Sequence, residues 1–366
     1  MFAELGLENW DVTGAALVAG LLLGAVFGFA AQRSRFCLRL ALVGQDRSER
    51  GRALALWLVA LAVALATVQA ALAFSPLDLS GHRYLESSLP LGGLLLGGLL
   101  FGAGMVLARG CASRLTVLSA SGNLRALTVL LVFAVVAFST MKGLLSPLRV
   151  GLAEATSLDL AAFGLAEGSL PALFGAWIVP ALVLATAAAA LFLTFKSRLG
   201  LPRLAAGAAI GGVVAAGWYT TGYLLYDDFD PIAAESIAFT LPMTDSLFYL
   251  IASTSVQAGF GVGLICGVLG GALLASLLFG EFALQSFESP RQTMRYGLGG
   301  LFMGFGGVLA GGCTVGNGLS GTATLGIAPI LGLAAIAFGA LATQRLMALK
   351  GGGREAAAEV QFTAAE

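Results

Sequence analysis

The sequence predicts an all-α protein that crosses a membrane many times. Of its 366 residues, 58% are apolar and 11% are charged, and the mean hydropathy is +0.91. A soluble domain carries about 25% charged residues, so lipid must cover most of this surface. The apolar runs are continuous and do not alternate with polar residues, which excludes a membrane-spanning β-barrel and leaves helices. An internal duplication of glycine and cysteine positions further indicates a transporter or channel.

Nine apolar runs approach the length of about 20 residues that a helix needs to cross a bilayer. The run at 246–279 is too long for one ordinary span, so we expect it to begin with a tilted or interfacial piece. The first run has no basic residues before it and belongs to the repeating pattern, so it is not interpreted as a cleaved signal peptide. The predicted spans are roughly 12–31, 53–74, 90–108, 126–141, 171–195, 204–226, 246–279, 296–312 and 323–344.

The distribution of basic residues predicts the orientation in the membrane. If the connections alternate between the two faces, 17 of the 20 Lys and Arg residues fall on one face and three fall on the other. Because basic loops stay in the cytoplasm, the N-terminus is expected in the periplasm and the C-terminus in the cytoplasm. The segments 142–170 and 227–245 then lie outside, and 142–170 is expected to contain a short surface helix.

The internal duplication organises the chain. When residues 97–111 are shifted by 202 positions onto 299–313, ten of the fifteen residues are identical, including five glycine pairs and the pair Cys111 and Cys313. Nine spans divide into four, one and four, so the two four-span units must face in opposite directions. The predicted parts are a single transport domain at 1–350, repeat one at about 12–145, a linking span at 171–195, repeat two at about 204–348, and a short cytoplasmic tail at 351–366.

Each repeat contains a glycine-rich segment that is expected to form a re-entrant loop, ARGCASRLTVLSASG at 108–122 and GGCTVGNGLSG at 311–321. Irregular backbone at membrane depth is tolerated only where it is buried in protein or lines a pathway. Glycine lets the backbone approach a ligand, and free N–H groups at the start of a helix form a cradle for an anion. Neither 90–125 nor 296–345 contains Asp or Glu, so a small anion is predicted rather than a hard cation. The candidate contacts are Cys111, Cys313, Gly110, Gly312, Thr314 and Asn317, with Ser113, Ser119 and Ser320 as further hydroxyl donors.

The glycines and one arginine have a second interpretation. Glycine also permits close helix packing, which we favour for Gly97–Gly104 and Gly299–Gly306, whereas we favour ligand contact for Gly110 and Gly312. Arg109 stands where the second repeat has a glycine. It either faces the pathway and attracts an anion or anchors the loop on the cytoplasmic side.

The chain has four cysteines and no CxxC motif, and its one histidine, His82, stands alone in a predicted outer loop. A zinc site of the usual spacing is therefore not expected, and no metal-ligating or catalytic residue is predicted. Cys266 lies in an apolar helix and is interpreted as ordinary packing. Cys37 ends the motif QRSRFC among arginines, where it is either an interface cysteine or part of the site. Neutral thiols suit an anion that itself ends in sulfur, although a thiolate pair for soft copper stays an alternative.

Three motifs together resemble the YeeE/YedE family of bacterial thiosulfate (sulfur) transporters: Gly110-Cys111, the GGCTVGNGLSG segment around Cys313, and Arg33-Ser34-Arg35-Phe36-Cys37. The resemblance covers roughly residues 12–345. It implies a bacterial inner-membrane protein whose inverted repeats are pinched into an hourglass. It implies that Cys111 and Cys313 form a central pair and Cys37 a third station, along which thiosulfate passes inward through transient S–H···S contacts. It also implies a cytoplasmic partner of the small, TusA-like sulfur-carrier type.

The sequence-based hypothesis is therefore uptake of thiosulfate by a transporter that has no cofactor, no enzymatic activity and no nucleic-acid partner. Two other classes stay open. One is a permease for a soft metal or for another sulfur or selenium species, and the other is a membrane thiol oxidoreductase that cycles two cysteines through a disulfide. A purely structural membrane protein would leave the duplicated Gly-Cys loops unexplained.

Overall fold

The computed structural model describes residues 11–165, 167–226 and 232–350, which are mostly helical. The first ten residues, part of the predicted acidic loop and the predicted tail at 351–366 lie outside the described residues. The helices are α1 (Val12–Ser34), α2 (Leu38–Val43), α3 (Arg47–Phe74), α4 (Leu91–Leu107), α5 (Ala112–Ala120), α6 (Leu124–Lys142), α7 (Ser146–Thr156), α8 (Leu170–Phe174), α9 (Ile178–Ser197), α10 (Leu201–Tyr219), α11 (Thr240–Ala252), α12 (Phe260–Leu278), α13 (Pro290–Leu309) and α14 (Ile327–Lys350). Two π-helical turns lie at Thr220–Leu224 and Gly316–Gly321, and strands β1 (Ser88–Pro90) and β2 (Ser157–Asp159) form a short antiparallel pair.

Eight of the described helical segments are long and apolar enough to cross a membrane, which confirms the predicted class of all-α polytopic membrane protein. The one remaining predicted span, at 296–312, corresponds to α13, which is 20 residues long. It is not among the eight, since its first turns carry Arg291, Gln292 and Arg295. The long run at 246–279 is divided between α11 and α12, as expected for a run that exceeds one span.

The helix pairs within the fold occur twice. Helix α1 packs against α12 and α3 packs against α10, while α4 packs against α14 and α13 packs against α6. The predicted duplication pairs α1 with α10, α3 with α12, α4 with α13, and α6 with α14. Under this pairing the contact between α1 and α12 corresponds to the contact between α10 and α3. In the same way the contact between α4 and α14 corresponds to the contact between α13 and α6. A two-fold axis between two equivalent units produces such reciprocal contacts. The packing therefore supports the inverted repeat, whose boundaries stay a prediction.

Glycines allow α4 and α13 to cross in direct backbone contact. A Cβ atom added at Gly104 would lie 2.6 Å from the carbonyl oxygen of Gly299, and one added at Gly306 would lie 2.6 Å from the carbonyl oxygen of Gly97. In the duplication Gly97 corresponds to Gly299 and Gly104 to Gly306, so the contact is reciprocal and the two helices run antiparallel. Small residues at such crossings let two membrane helices approach closely, which supports the packing interpretation of these glycines.

The segments outside the two repeats lie at the surface. Helix α9, the predicted linking span, has a single buried side chain, that of Ala190, and packs against α3. Helix α7 lies in the predicted outer segment 142–170 and has no buried residue, so the expected surface helix is present. Exposed leucine, valine and phenylalanine side chains cover the outward faces of several long helices, as contact with lipid requires.

Candidate functional site

The three predicted pathway cysteines occupy the same kind of local position. Cys37 precedes α2, Cys111 precedes α5, and Cys313 precedes the helical residues 314–323. The first N–H groups of a helix have no partner inside it and carry partial positive charge. In all three cases the backbone N–H three residues later reaches the sulfur, and Gly316 N lies 3.3 Å from Cys313 Sγ. Each thiol therefore faces a helix start that favours electron-rich groups.

The two loops meet in a buried layer formed by Cys37, Cys111, Cys313 and Thr314, which we call the waist. The exposed fractions of these residues are 8%, 1%, 0% and 1%. The Cys37 and Cys111 thiols lie within hydrogen-bonding reach of each other, and the Thr314 hydroxyl of the second repeat lies beside the Cys111 thiol of the first. Ser113 Oγ lies 3.3 Å from Cys111 Sγ. The waist is thus lined by thiols and hydroxyls from both repeats.

Asn317 and the two loop glycines shape the loops from within. The Asn317 amide nitrogen donates to the carbonyl oxygen of Ala310 at 2.9 Å. A Cβ atom added at Gly312 would lie 2.6 Å from Asn317 Oδ1, and one added at Gly110 would lie 3.0 Å from Leu115 Cδ2. Packing inside each loop therefore accounts for both glycines. Contact of Gly110, Gly312 and Asn317 with a ligand stays a prediction.

Arg109 and its counterpart Gly311 share an unusual backbone conformation. Their φ angles are 58° and 71°, in the left-handed region, where a residue other than glycine is strained by about 1 kcal/mol. Arg39 Nη1 donates to the Arg109 carbonyl oxygen at 3.5 Å, and the Arg109 side chain lines a cavity on the arginine-rich face. The turn is therefore the same in both repeats, and only one of them places a charge on it.

A cavity of about 430 Å³ opens on the face opposite the arginines, and we call it the aromatic vestibule. The ring centroid of His82 lies 4.7 Å from that of Tyr84 and 4.8 Å from that of Trp218. Arg83 supplies a cation and Glu235 a carboxyl group to the same cavity. The lining is thus an aromatic cluster with one basic group and several acidic ones.

The aromatic vestibule ends close to Cys313. A Cβ atom added at Gly316 would lie 3.4 Å from Tyr84 Oη and 3.8 Å from Cys313 Sγ, so the hydroxyl and the thiol face one small space. Tyr84 is 5% exposed, and Ser320 of the second loop also lines this cavity. Tyr84 therefore separates the open cavity from the waist.

Two groups in the aromatic vestibule have shifted pKa values. Burial, assisted by Arg83, lowers the pKa of His82 to about 4, so His82 is neutral near pH 7. Burial and the neighbouring Asp245 raise the pKa of Glu235 to about 7, against the opposing effect of Arg83. Only Glu235 of these two therefore changes charge near neutral pH.

A second cavity, of about 490 Å³, opens on the arginine-rich face, and we call it the basic vestibule. Cys37 lines it, so the waist also borders this cavity. Glu49 and Glu281 are its carboxylates, and both are exposed. Its basic residues are Arg35, Arg39, Arg109 and Arg114.

The structure adds residues that the sequence argument did not select, among them Tyr84, Trp218 and Arg114. Arg114 lies three residues after Cys111, so helical spacing could have selected it, whereas Tyr84 and Trp218 carry no local signal. Three expectations differ from the structure. Ser119 donates to the carbonyl oxygen of Thr116 within α5 at 2.8 Å, and Ser320 donates to the carbonyl oxygen of Ile237 at 2.6 Å. Cys266 is exposed on α12 rather than packed in the interior.

These features define a polytopic membrane protein in which two vestibules on opposite faces approach one buried layer of thiols, the arrangement of a transporter. The comparison with known proteins supplies the family. A family model described as sulphur transport (Sulf_transp) matches residues 33–342, and the chain belongs to this family. The resemblance to the YeeE/YedE proteins is thereby confirmed.

Two curated relatives align over most of the chain. The thiosulfate transporter TsuA of Escherichia coli (strain K12) is 28% identical over 329 residues, which cover 84% of this chain and 88% of that protein. The thiosulfate transporter TsuA of Spirochaeta thermophila is 30% identical over 329 residues, which cover 84% of this chain and 92% of that protein.

Proposed function

We propose that this protein takes up thiosulfate across the bacterial inner membrane, along a route from the aromatic vestibule through the waist to the basic vestibule. The names of the two relatives support the substrate. The placement of Cys37, Cys111 and Cys313 between two cavities supports the route. Thiosulfate is a dianion with a polarizable terminal sulfur and three oxygen acceptors, which matches thiols and hydroxyls of the waist.

One observation carries the assignment of the waist. The Thr314 hydroxyl is buried beside the Cys111 thiol, and apart from that weak sulfur acceptor it has no hydrogen-bond partner within the described part of the chain. An unsatisfied buried polar group costs about 1–3 kcal/mol. A passing oxyanion would supply the missing acceptor, so the arrangement suits transient occupation. Because hydroxyls and thiols are weaker donors for an anion than Lys or Arg, the ion is held weakly enough to leave.

The proposed route begins where Arg83 attracts the dianion into the aromatic vestibule. The ion then passes Tyr84 and reaches Cys313, where the N–H of Gly316 already points toward the sulfur. Next it moves to Cys111 beside Thr314 and finally to Cys37, which opens on the basic vestibule. At each step a thiol and a helix start replace part of the ion's hydration.

The direction of transport rests on the proposed orientation. The basic vestibule lies on the face with most of the Lys and Arg residues, which is expected to be cytoplasmic. The N-terminus would then be periplasmic and the C-terminus cytoplasmic. A fluorescent protein fused at each end in turn and compared with a periplasmic reporter tests this placement.

A small cytoplasmic sulfur-carrier protein of the TusA-like type is proposed to collect the substrate at the basic vestibule. The opening of Cys37 into this cavity supports a partner that accepts sulfur there. Cross-linking of a purified carrier to the protein in inside-out vesicles tests the contact. A carrier that binds equally well to vesicles without the protein would contradict it.

The decisive experiment is uptake of radiolabelled thiosulfate into proteoliposomes, with sulfate, sulfite and selenite as competitors. Accumulation above that of protein-free liposomes is expected, with weaker competition by ions that lack a terminal sulfur. No accumulation, together with copper in the purified protein that disappears in Cys313→Ala, would favour a soft-metal permease. A Cys37–Cys111 disulfide that forms and disappears with turnover would favour a thiol oxidoreductase.

A further inference from the structure

The basic vestibule has a charge arrangement that the passage through the waist does not use. Its two carboxylates, Glu49 and Glu281, are exposed, whereas Arg39, Arg109 and Arg114 are half-buried and therefore lie deeper. Gln32 Nε2 donates to Glu281 at 2.7 Å, which fixes this carboxylate near the wall of the cavity. The inner part of the cavity is thus the more positive part.

Two of these arginines lie close to Cys37, which ends the row of three thiols (Cys313, Cys111 and Cys37, called the thiol row) at the basic vestibule. The Arg114 guanidinium is within electrostatic reach of the Cys37 thiol, and Arg114 also supplies the backbone N–H that reaches Cys111. Arg39 lines the cavity two residues after Cys37. The Nε atom of Arg39 is buried and has no hydrogen-bond partner within the described residues. A buried guanidinium N–H without a partner indicates a site for an acceptor that is absent from the structure.

The chemistry of this set fits a small divalent oxyanion. Guanidinium groups present several N–H donors in a plane and match the oxygens of such an ion. The cavity of about 490 Å³ has ample room for an ion of a few heavy atoms. In the second repeat the positions of Arg109 and Arg114 are Gly311 and Gly316, so the second loop itself contributes no arginine.

We propose that the basic vestibule contains a second anion site, in which Arg39 and Arg114 bind a sulfur oxyanion beside Cys37 after it has left the waist. The identity of the ion rests on the proposed function, whereas the site itself does not. Binding by cations at the inner end of the route stabilises the ion there and lowers its return through the waist, which has no basic side chain. Free internal sulfate is expected to occupy the same site.

The test compares two alkylating reagents of nearly equal size, iodoacetate and iodoacetamide, on a variant in which Cys37 is the only cysteine (Cys111→Ser, Cys266→Ala, Cys313→Ser). The reagents differ in charge, so the ratio of their rates reports the field at Cys37 and cancels changes in thiol reactivity. Arg39→Gln with Arg114→Gln is expected to lower the iodoacetate-to-iodoacetamide ratio about tenfold. Arg47→Gln with Arg198→Gln, exposed on the same face and outside the cavity lining, is the matched control and is expected to leave the ratio unchanged.

A second measurement tests occupancy. Sulfate is expected to slow alkylation of Cys37 by neutral iodoacetamide, and chloride at equal ionic strength is not. The protection should disappear in the Gln pair and persist with Arg39→Lys and Arg114→Lys, which keep the charge. Equal ratios in the Gln pair and the control pair, or equal effects of sulfate and chloride, would overturn the site.

The outcomes separate this proposal from the proposed function. Thiosulfate uptake without sulfate protection of Cys37 would refute the second site and leave the transport activity standing. Sulfate protection without thiosulfate uptake would leave the site standing and refute the substrate. Loss of the iodoacetate preference in the Lys pair as well would assign the effect to altered packing and refute the site.

Discussion

The two Gly-Cys loops share the turn before the cysteine and differ in charge. Arg109 and Gly311 both have φ in the left-handed region, and both loops place a cysteine directly before a helical segment. Yet the first loop carries Arg109 and Arg114 where the second carries Gly311 and Gly316. The duplication therefore preserved the turn and the thiol, because both depend on backbone geometry. The charges differ between the two loops, so we expect the two faces of the fold to differ in their affinity for an anion.

A second comparison concerns the third thiol. The motif Phe36-Cys37-Leu38 resembles Phe239-Thr240-Leu241, which lies 203 residues later and so is one residue out of the register of the duplication, and the Phe27 ring contacts both phenylalanines, with centroids 6.4 Å and 5.4 Å away. Cys37 faces Cys111, whereas the buried Thr240 hydroxyl has no hydrogen-bond partner in the described structure. The thiol row is therefore extended on the basic side only.

The largest expected effect comes from removing either central thiol. Cys111→Ala and Cys313→Ala are each expected to reduce thiosulfate uptake to background, because each removes one contact from a single-file route. Growth on thiosulfate as the sole sulfur source and proteoliposome uptake measure this effect. Cys266→Ala, exposed on α12, is the control and should transport normally. Equal uptake by all three variants would refute the assignment of the two central thiols to the route, and loss of uptake in only one of the two loop variants would refute the equivalence of the loops.

The reciprocal helix crossing predicts matched losses of stability. Gly104→Leu and Gly299→Leu place side chains against backbone that cannot move aside, so each should destabilise the protein by about 3 kcal/mol or more. Thermal unfolding in detergent measures both. Gly270→Leu on α12, with no atom within 4 Å of its added Cβ, is the control. A large loss at one position and none at the other would contradict the two-fold packing.

The aromatic vestibule predicts a pH dependence that the basic vestibule does not share. Burial and Asp245 raise the pKa of Glu235 to about 7, although the neighbouring Arg83 acts to lower it. The carboxyl group is therefore neutral below this pH and negative above it. Uptake is expected to fall several-fold as the outer pH rises through about 7, since ionised Glu235 repels a dianion.

Two other groups at this vestibule stay neutral over that range. The pKa of His82 is about 4, and burial raises the pKa of Tyr84 above its ordinary value. Glu235→Gln should therefore give uptake that is independent of pH from 6 to 8, and Glu154→Gln on exposed α7 should retain the wild-type profile. An unchanged pH profile of uptake in Glu235→Gln would show that the charge of Glu235 does not control entry of the anion.

The smallest expected effect concerns the shared left-handed turn. Arg109→Gly should stabilise the fold by up to about 1 kcal/mol, and Gly311→Ala should destabilise it by a similar amount, because only glycine adopts this conformation without strain. Denaturation in detergent measures both variants. Stabilisation by Arg109→Gly together with slower uptake would show that the strained turn lowers stability and that the charge of Arg109 aids transport.

The split of 246–279 and the polar start of α13 show where pattern reasoning reached its limit. Hydropathy predicted a run too long for one span, and the structure divided it between α11 and α12. The apolar part of α13 began where predicted, but Pro290 and the polar residues after it extend the helix beyond the apolar run. Composition reports which residues prefer lipid, whereas capping and packing decide where a helix begins.

The sequence by itself determined the membrane class, the duplication and the candidate cysteines, because apolar length, charge asymmetry and repeated glycines are local or periodic signals. Only the tertiary structure decided that Cys37 meets Cys111, that Thr314 crosses to the other repeat, and that Tyr84 stands before Cys313. Those contacts join segments that lie tens to hundreds of residues apart in the chain. These contacts are set by how the helices cross. The glycine pattern shows that two helices can approach closely, but it does not show which two helices meet or at which angle.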